Sequence, residues 1–151
     1  MHAEIPDTRG TPELNPYLAG CPTRRILDRV GDRWTVLVVG SLGDRSRRFS
    51  YLLRDVGGIS QKMLTQTLRG LERDGLVTRT VFAEVPARVE YELTAAGLSL
   101  RAPLRELERW SIEHFTEVRD AQQAYGDRGS KAHPDLGLAD QGGETFQINT
   151  P

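Results

Sequence analysis

Between Pro16 and Tyr125 the apolar positions recur at helical spacing in several stretches and alternate in one, and small residues punctuate the joins. Pro22 opens Thr23 to Val30, where Ile26, Leu27 and Val30 share one face, and Gly31 ends it. Proline suits a first helical turn because its missing N–H has no intrahelical acceptor there. Asp32 then caps Arg33 to Leu42, in which Trp34, Leu37, Val38 and Ser41 or Leu42 repeat before Gly43 stops the helix. Arg47-Arg48-Phe49 reads as a brief extended piece, followed by Ser50 as the cap of a short helix, Tyr51 to Val56. Gly57-Gly58 signals a turn, and Ser60 caps a longer helix that runs to about Asp74 and closes at Gly75.

The period then changes. Leu76 to Phe82 is rich in β-branched residues, Glu84 to Ala87 breaks the run, and Arg88 to Leu93 alternates apolar with charged, which predicts a β-hairpin with one face solvated. Thr94 caps a long amphipathic segment through Leu98, Leu104, Leu107, Trp110, Phe115 and Val118, with a kink or break expected at Pro103. The fold class is therefore α+β and mainly helical. Two helices joined by a glycine turn, then a hairpin, is the order of a winged helix-turn-helix: Tyr51 to Val56 supports, Ser60 to Asp74 reads DNA, and the hairpin is a two- to three-stranded antiparallel wing.

Projection of the second helix separates two arcs. Met63, Leu64, Thr67, Leu68 and Leu71 fall on one side; Gln61, Lys62, Thr65, Gln66, Arg69, Glu72 and Arg73 fill the other, with Gly70 on a rim between them. The polar arc lacks the mixed Glu and Lys of a merely solvated face. Its Gln, Thr, Lys and Arg side chains hydrogen-bond to base edges or phosphates. The DNA-contacting candidates are thus Ser60, Gln61, Lys62, Thr65, Gln66 and Arg69 on the helix, Arg47 and Arg48 on the strand, and Arg88 on the wing.

Charge sharpens this picture although the net value, −1, does not. From Arg47 to Arg73 there are six basic residues against two acids, whereas Gly126 to Pro151 carries two basic residues and four acids. A basic middle suits a local footprint on an anionic polymer. With 151 residues, 38% of them hydrophobic and 27% charged, the chain has room for one domain of about 17–125. An arm over 1–16 precedes it, and a glycine-rich, disordered tail over 126–151 follows. The longest mostly apolar stretch, Trp34 to Leu42, is far below the roughly 20 residues a membrane span requires, and Met1 to Thr11 lacks the apolar run of a secretion signal. A cytoplasmic, nucleoid-associated protein is expected, without a membrane partner. His2, His114 and His133 are widely separated, and no metal-ligand spacing, nucleophile elbow or phosphate loop occurs, so neither an enzyme nor a metal or other cofactor is expected.

Several stretches also resemble a known family: Cys21-Pro22, Gly31-Asp32-Arg33-Trp34-Thr35, Arg48-Phe49, Gly58-Ile59-Ser60-Gln61-Lys62-Met63-Leu64-Thr65, Leu68 through Val77, and Val85-Pro86-Ala87-Arg88-Val89-Glu90-Tyr91-Glu92-Leu93-Thr94. In order and spacing, from Cys21 to His114, they resemble the HxlR-type (MarR-like) winged-helix regulators of bacteria. The resemblance implies a homodimeric, DNA-binding transcription factor whose terminal helices form the dimer interface. Gly70 departs from the expected pattern and should cost about 1 kcal/mol relative to Ala.

Dimerisation has support from the residues too, because Leu104, Leu107, Trp110, Phe115 and Val118 offer more apolar surface than a short core can cover. The expected partners are double-stranded promoter DNA bearing an inverted repeat, a second copy of the chain, and a small effector or oxidant. Cys21 has two readings. At a helix start, with Arg24 and Arg25 in the next turn, it is placed as a redox sensor, and some family members use a cysteine there in this way; alternatively it is a small, inert, buried hydrophobe. The rival to the whole assignment is a winged-helix protein-interaction module that binds no DNA.

Overall fold

A computed structural model describes residues 14–131 of the chain; residues 1–13 of the arm expected over 1–16, and residues 132–151 of the expected tail, lie outside the described residues. The elements follow as α1 (Thr23–Val30), α2 (Arg33–Leu42), β1 (Arg47–Arg48), α3 (Phe49–Asp55), α4 (Gln61–Arg73), β2 (Val77–Phe82), β3 (Arg88–Leu93), α5 (Ala95–Glu113) and α6 (Phe115–Lys131). They fall in two compact units, one up to Trp110 and one from Ser111. No helix among the described residues is long and apolar enough to cross a membrane.

The first unit is a winged helix-turn-helix. Its core joins Val36, Val38, Val39 and Leu42 of α2, Leu52 of α3, Val56, Ile59, Leu64, Leu68 and Leu71 of α4, Val77 and Leu93 at the hairpin base, and Leu104 of α5. Polar caps set the boundaries. The Thr35 N–H donates to Asp32 Oδ2 at 3.1 Å, and the Met63 N–H to Ser60 Oγ at 3.0 Å. Gly75, at φ +71, ends α4 in a Schellman motif, its N–H donating to the Glu72 carbonyl and that of Leu76 to the Leu71 carbonyl. The sheet is antiparallel with order β1-β3-β2, and its register pairs Arg47 with Tyr91, Arg48 with Glu90, Arg79 with Tyr91 and Phe82 with Arg88.

Several boundaries and faces differ from the sequence reading. The third helix begins at Phe49, not after Ser50, because pairing to β3 ends at Arg48 and Phe49 turns in to pack on the core. Leu37 and Met63 are exposed, and Thr35, Val36 and Val39 take the inner face of α2 instead. Helix α5 passes through Pro103 without breaking, spanned by Leu100 and Leu104, both packed on the core; the interruption falls at His114. Leu104, expected at a dimer seam, is accordingly buried in its own chain. Helix α6 carries regular structure through Gly126 to Lys131, where a tail was expected from Gly126.

Candidate nucleic-acid interface

Helix α4 is fixed on one side and open on the other. Leu64, Thr67, Leu68, Gly70 and Leu71 are buried, while Gln61, Lys62, Gln66 and Arg69 are exposed and Thr65 is half-buried. Lys62 and Arg69 form no ion pair with the described residues, so their charge is available to an outside partner. Ser60 is committed differently: its hydroxyl accepts the capping bond from Met63, which makes it a fixer of the helix start and not a free contact.

Across a groove from α4 stands the wing. Thr65, Arg69 and Glu72 line one wall, Arg79 and Tyr91 the other. Arg79, not among the sequence candidates, belongs here by parity. It shares a strand face with Val77, whose side chain is buried, so period-2 alternation turns both toward the helix. That alternation was the signal that could have found it. Arg79 also has no ion pair among the described residues.

The arginines chosen from the sequence for strand and wing are less free. Arg88 donates through Nη1 to Glu90 Oε1 at 2.7 Å and through Nη2 to Glu84 Oε1 at 3.0 Å, with its guanidinium 3.9 Å from the centroid of Phe82. Arg47 is half-buried, its guanidinium 4.3 Å from the centroid of Tyr51. Arg48 is exposed but lies 3.9 Å from Glu90. The Glu90 carboxylate also accepts from Ser46 Oγ at 2.8 Å. That bond foremost, with Arg88 and Arg48, holds its pKa below the ordinary carboxylate value against a weaker upward push from burial. Among the expected cations, then, Lys62 and Arg69 meet the solvent unpaired, whereas Arg88 serves the wing itself.

Cys21 is 8% exposed, its Sγ 3.0 Å from Thr23 Oγ1. Arg24 does not turn to it: Nε donates to the Pro16 carbonyl at 2.7 Å and Nη2 to the Tyr17 carbonyl at 3.3 Å. Leu107, Trp110, Phe115 and Val118, expected at a dimer seam, are exposed, and so are Ile26 and Leu27 of α1.

The groove between the capped helix and the wing thus carries an arginine on each wall, Arg69 and Arg79. The profile of the HxlR-like helix-turn-helix family matches residues 29–119. The chain belongs to that family. It is a winged-helix transcriptional regulator of the HxlR type. A similar protein is YtfH, an HTH-type transcriptional regulator of Escherichia coli (strain K12), 38% identical over 115 residues that cover 74% of this chain and 91% of that one. The solved structure of the transcriptional regulator ytfH from Salmonella typhimurium is similar with a TM-score of 0.68 and 38% identity, covering 72% of this chain and 97% of that one. The redox regulator HypR in its oxidised form is similar with a TM-score of 0.57 and 36% identity, covering 62% of this chain and 96% of that one. The matched span, 29–119, takes in α4 and the wing.

Proposed function

We propose that the protein is a sequence-specific regulator that binds an inverted-repeat operator in promoter DNA as a homodimer, each copy laying α4 in a major groove. The observation that carries this reading is the outer face of α4. Gln61, Lys62, Gln66 and Arg69 stand exposed on a helix whose opposite face is core, so the face is rigid and its hydrogen-bonding atoms are uncommitted. Gln61, Lys62, Thr65, Gln66 and Arg69 lie toward the end that enters the groove and read base edges; Arg79, with Arg47 and Arg48 nearby, meets phosphates. Exposed apolar side chains support the dimer: Ile26 and Leu27 on α1, Leu107 on α5, Val118 on α6, with Trp110 and Phe115 also exposed in part. A two-fold dimer sets half-sites about 34 Å apart, one turn of DNA. Such work implies a cytoplasmic, nucleoid-associated protein.

The test is enrichment of duplexes from a randomised pool, followed by binding at graded salt. An inverted repeat should emerge. With six or more phosphate contacts per dimer, affinity should fall about a thousandfold between 50 and 200 mM salt. A flat salt response would leave only a protein-interaction module.

The similarity to HypR, a redox regulator, favours a second layer: thiol response at Cys21, which sits against the Thr23 hydroxyl at the start of α1. The thiol is buried, so an oxidant reaches it only when the structure around it opens. Diamide should then change DNA affinity in the wild type and not in Cys21→Ser. A change in both, or in neither, makes Cys21 a packing residue.

A further inference from the structure

Helix α4 is gripped at its C-terminal end. Asp74, its C-cap, accepts a hydrogen bond from Arg29 Nε of α1 at 2.8 Å. The rest of that guanidinium lies over Gly70, one turn earlier, so close that a Cβ at position 70 would overlap it. Gly70 is therefore no rim defect. It is a seat, and the planar Arg29 side chain fills it while its Nε holds Asp74, a double engagement that the point charge of a lysine could not reproduce. From another side, Thr94 Oγ1 at the start of α5 donates to the Gly75 carbonyl at 2.6 Å, and Gly97 brings α5 against the Leu76 carbonyl, with which a Cβ would clash. The last turn of α4 thus receives α1 and α5 together, elements whose exposed apolar side chains are assigned above to the second copy.

We propose that Arg29 is a positioning residue for DNA reading: seated on Gly70 and paired to Asp74, it sets the tilt of α4 against α1 and so the register in which the first turns of α4 meet base edges. This rests on the operator-reading function proposed above. A helix of 13 residues is about 20 Å long, so a pivot of about 5° at its far end moves the first turn by about 1.7 Å. That is enough to break hydrogen bonds that tolerate only a few tenths of an ångström.

The experiment uses the full-length protein, a duplex that the wild type selects from a randomised pool, and an unrelated duplex of equal length. Arg29→Met and Gly70→Ala should each lower the preference for the selected duplex by about tenfold, within the range that one base-reading side chain supplies. Affinity for the unrelated duplex and the salt slope should stay as in the wild type. The double variant should be no worse than the poorer single one, because both changes remove the same engagement. Simple destabilisation would instead lower both affinities by one factor and leave the preference unchanged, which overturns the proposal. So does a preference within twofold of wild type in Arg29→Met, an additive double variant, or an equal loss on both duplexes with a shallower salt slope, the mark of a phosphate contact. If the wild type enriches no duplex, operator reading itself falls and this inference with it; if it does and Arg29→Met reads as well, only the positioning role falls.

Discussion

The recognition helix and the wing bring cations to one groove, but different forces hold them in shape. Helix α4 buries Leu64, Leu68 and Leu71 against α2, α3 and β2, and both its ends are capped. Its outer side chains need no partner within the chain. The wing has almost no core beneath it: along β2 and β3 only Val77 and Leu93, at the base, are buried. Beyond them Arg88 binds Glu84 and Glu90 and lies over Phe82, while Ser46 and Arg48 add their contacts to Glu90. An arginine that braces a hairpin in this way is not free to neutralise a phosphate. The number of basic residues in a DNA-binding segment is thus an upper bound on the phosphates it neutralises, and how the local backbone is stabilised decides how far below that bound the true number lies.

The largest effect should come from attacking the packing of α4. Leu68 is 1% exposed, and Leu68→Ala should cost about 2 to 5 kcal/mol of unfolding free energy, with binding to selected and random DNA weakened together as the helix loosens. On the wing, Val81 is 53% exposed, and Val81→Ala should stay within about 0.5 kcal/mol of wild type. Chemical denaturation of both variants checks the contrast. Similar losses would mean that the wing has a core of its own.

What could be read from the sequence divides along the same line. Asp32, Ser60, Gly43 and Gly75 mark helix ends because capping and positive φ are local requirements, legible within a few residues. The hairpin limits were legible for the same reason. The start of α3 was not, since strand pairing between Arg48 and Glu90, far along the chain, decides where the extended segment stops. Nor was the meaning of Gly70, whose partner, Arg29, sits on another helix, nor the inward packing of Leu104, which amphipathic spacing cannot distinguish from a seam position. At the candidate interface the polar arc of α4 was readable from helical period alone. The exchange of Arg88 for Arg79 was legible only in part: strand alternation from Val77 turns Arg79 toward the helix, but composition weighs both arginines alike, and the ion pairs that commit Arg88 to Glu84 and Glu90 show only in the fold.

That exchange gives the second, smaller effect. Arg79→Ala should weaken binding to selected and random duplexes alike and make the log-log salt slope shallower by about 0.9 for each phosphate that is no longer neutralised. Arg88→Ala should leave the slope in place and lower the unfolding free energy by about 0.2 to 1 kcal/mol, the usual scale for ion pairs near the surface. Salt titrations of both variants, run beside denaturation, separate a DNA-binding arginine from a brace. A shallower slope in Arg88→Ala would show that this guanidinium leaves Glu84 and Glu90 for DNA, and the contrast between helix and wing would dissolve.

The smallest effect is a pH dependence confined to the wing. In the unfolded chain Glu90 titrates near the ordinary glutamate value of about 4.3. In the folded protein the hydrogen bond from Ser46, with Arg88 and Arg48, holds its carboxyl below that value. Between the two values the unfolded chain binds the proton more readily, so acid favours unfolding there. The stabilisation from ionised Glu90 is therefore complete above the unfolded value and is lost as pH falls through the lowered folded one. The difference in unfolding free energy between wild type and Glu90→Gln should hold constant from neutral pH down to about 5 and shrink at more acidic pH. On α4, where no carboxylate pairs with Arg69 among the described residues, the difference between wild type and Arg69→Gln should not change over that range. Denaturation at steps of pH decides it: a Glu90→Gln gap that stays level into acid would mean that shape, not charge, holds the wing.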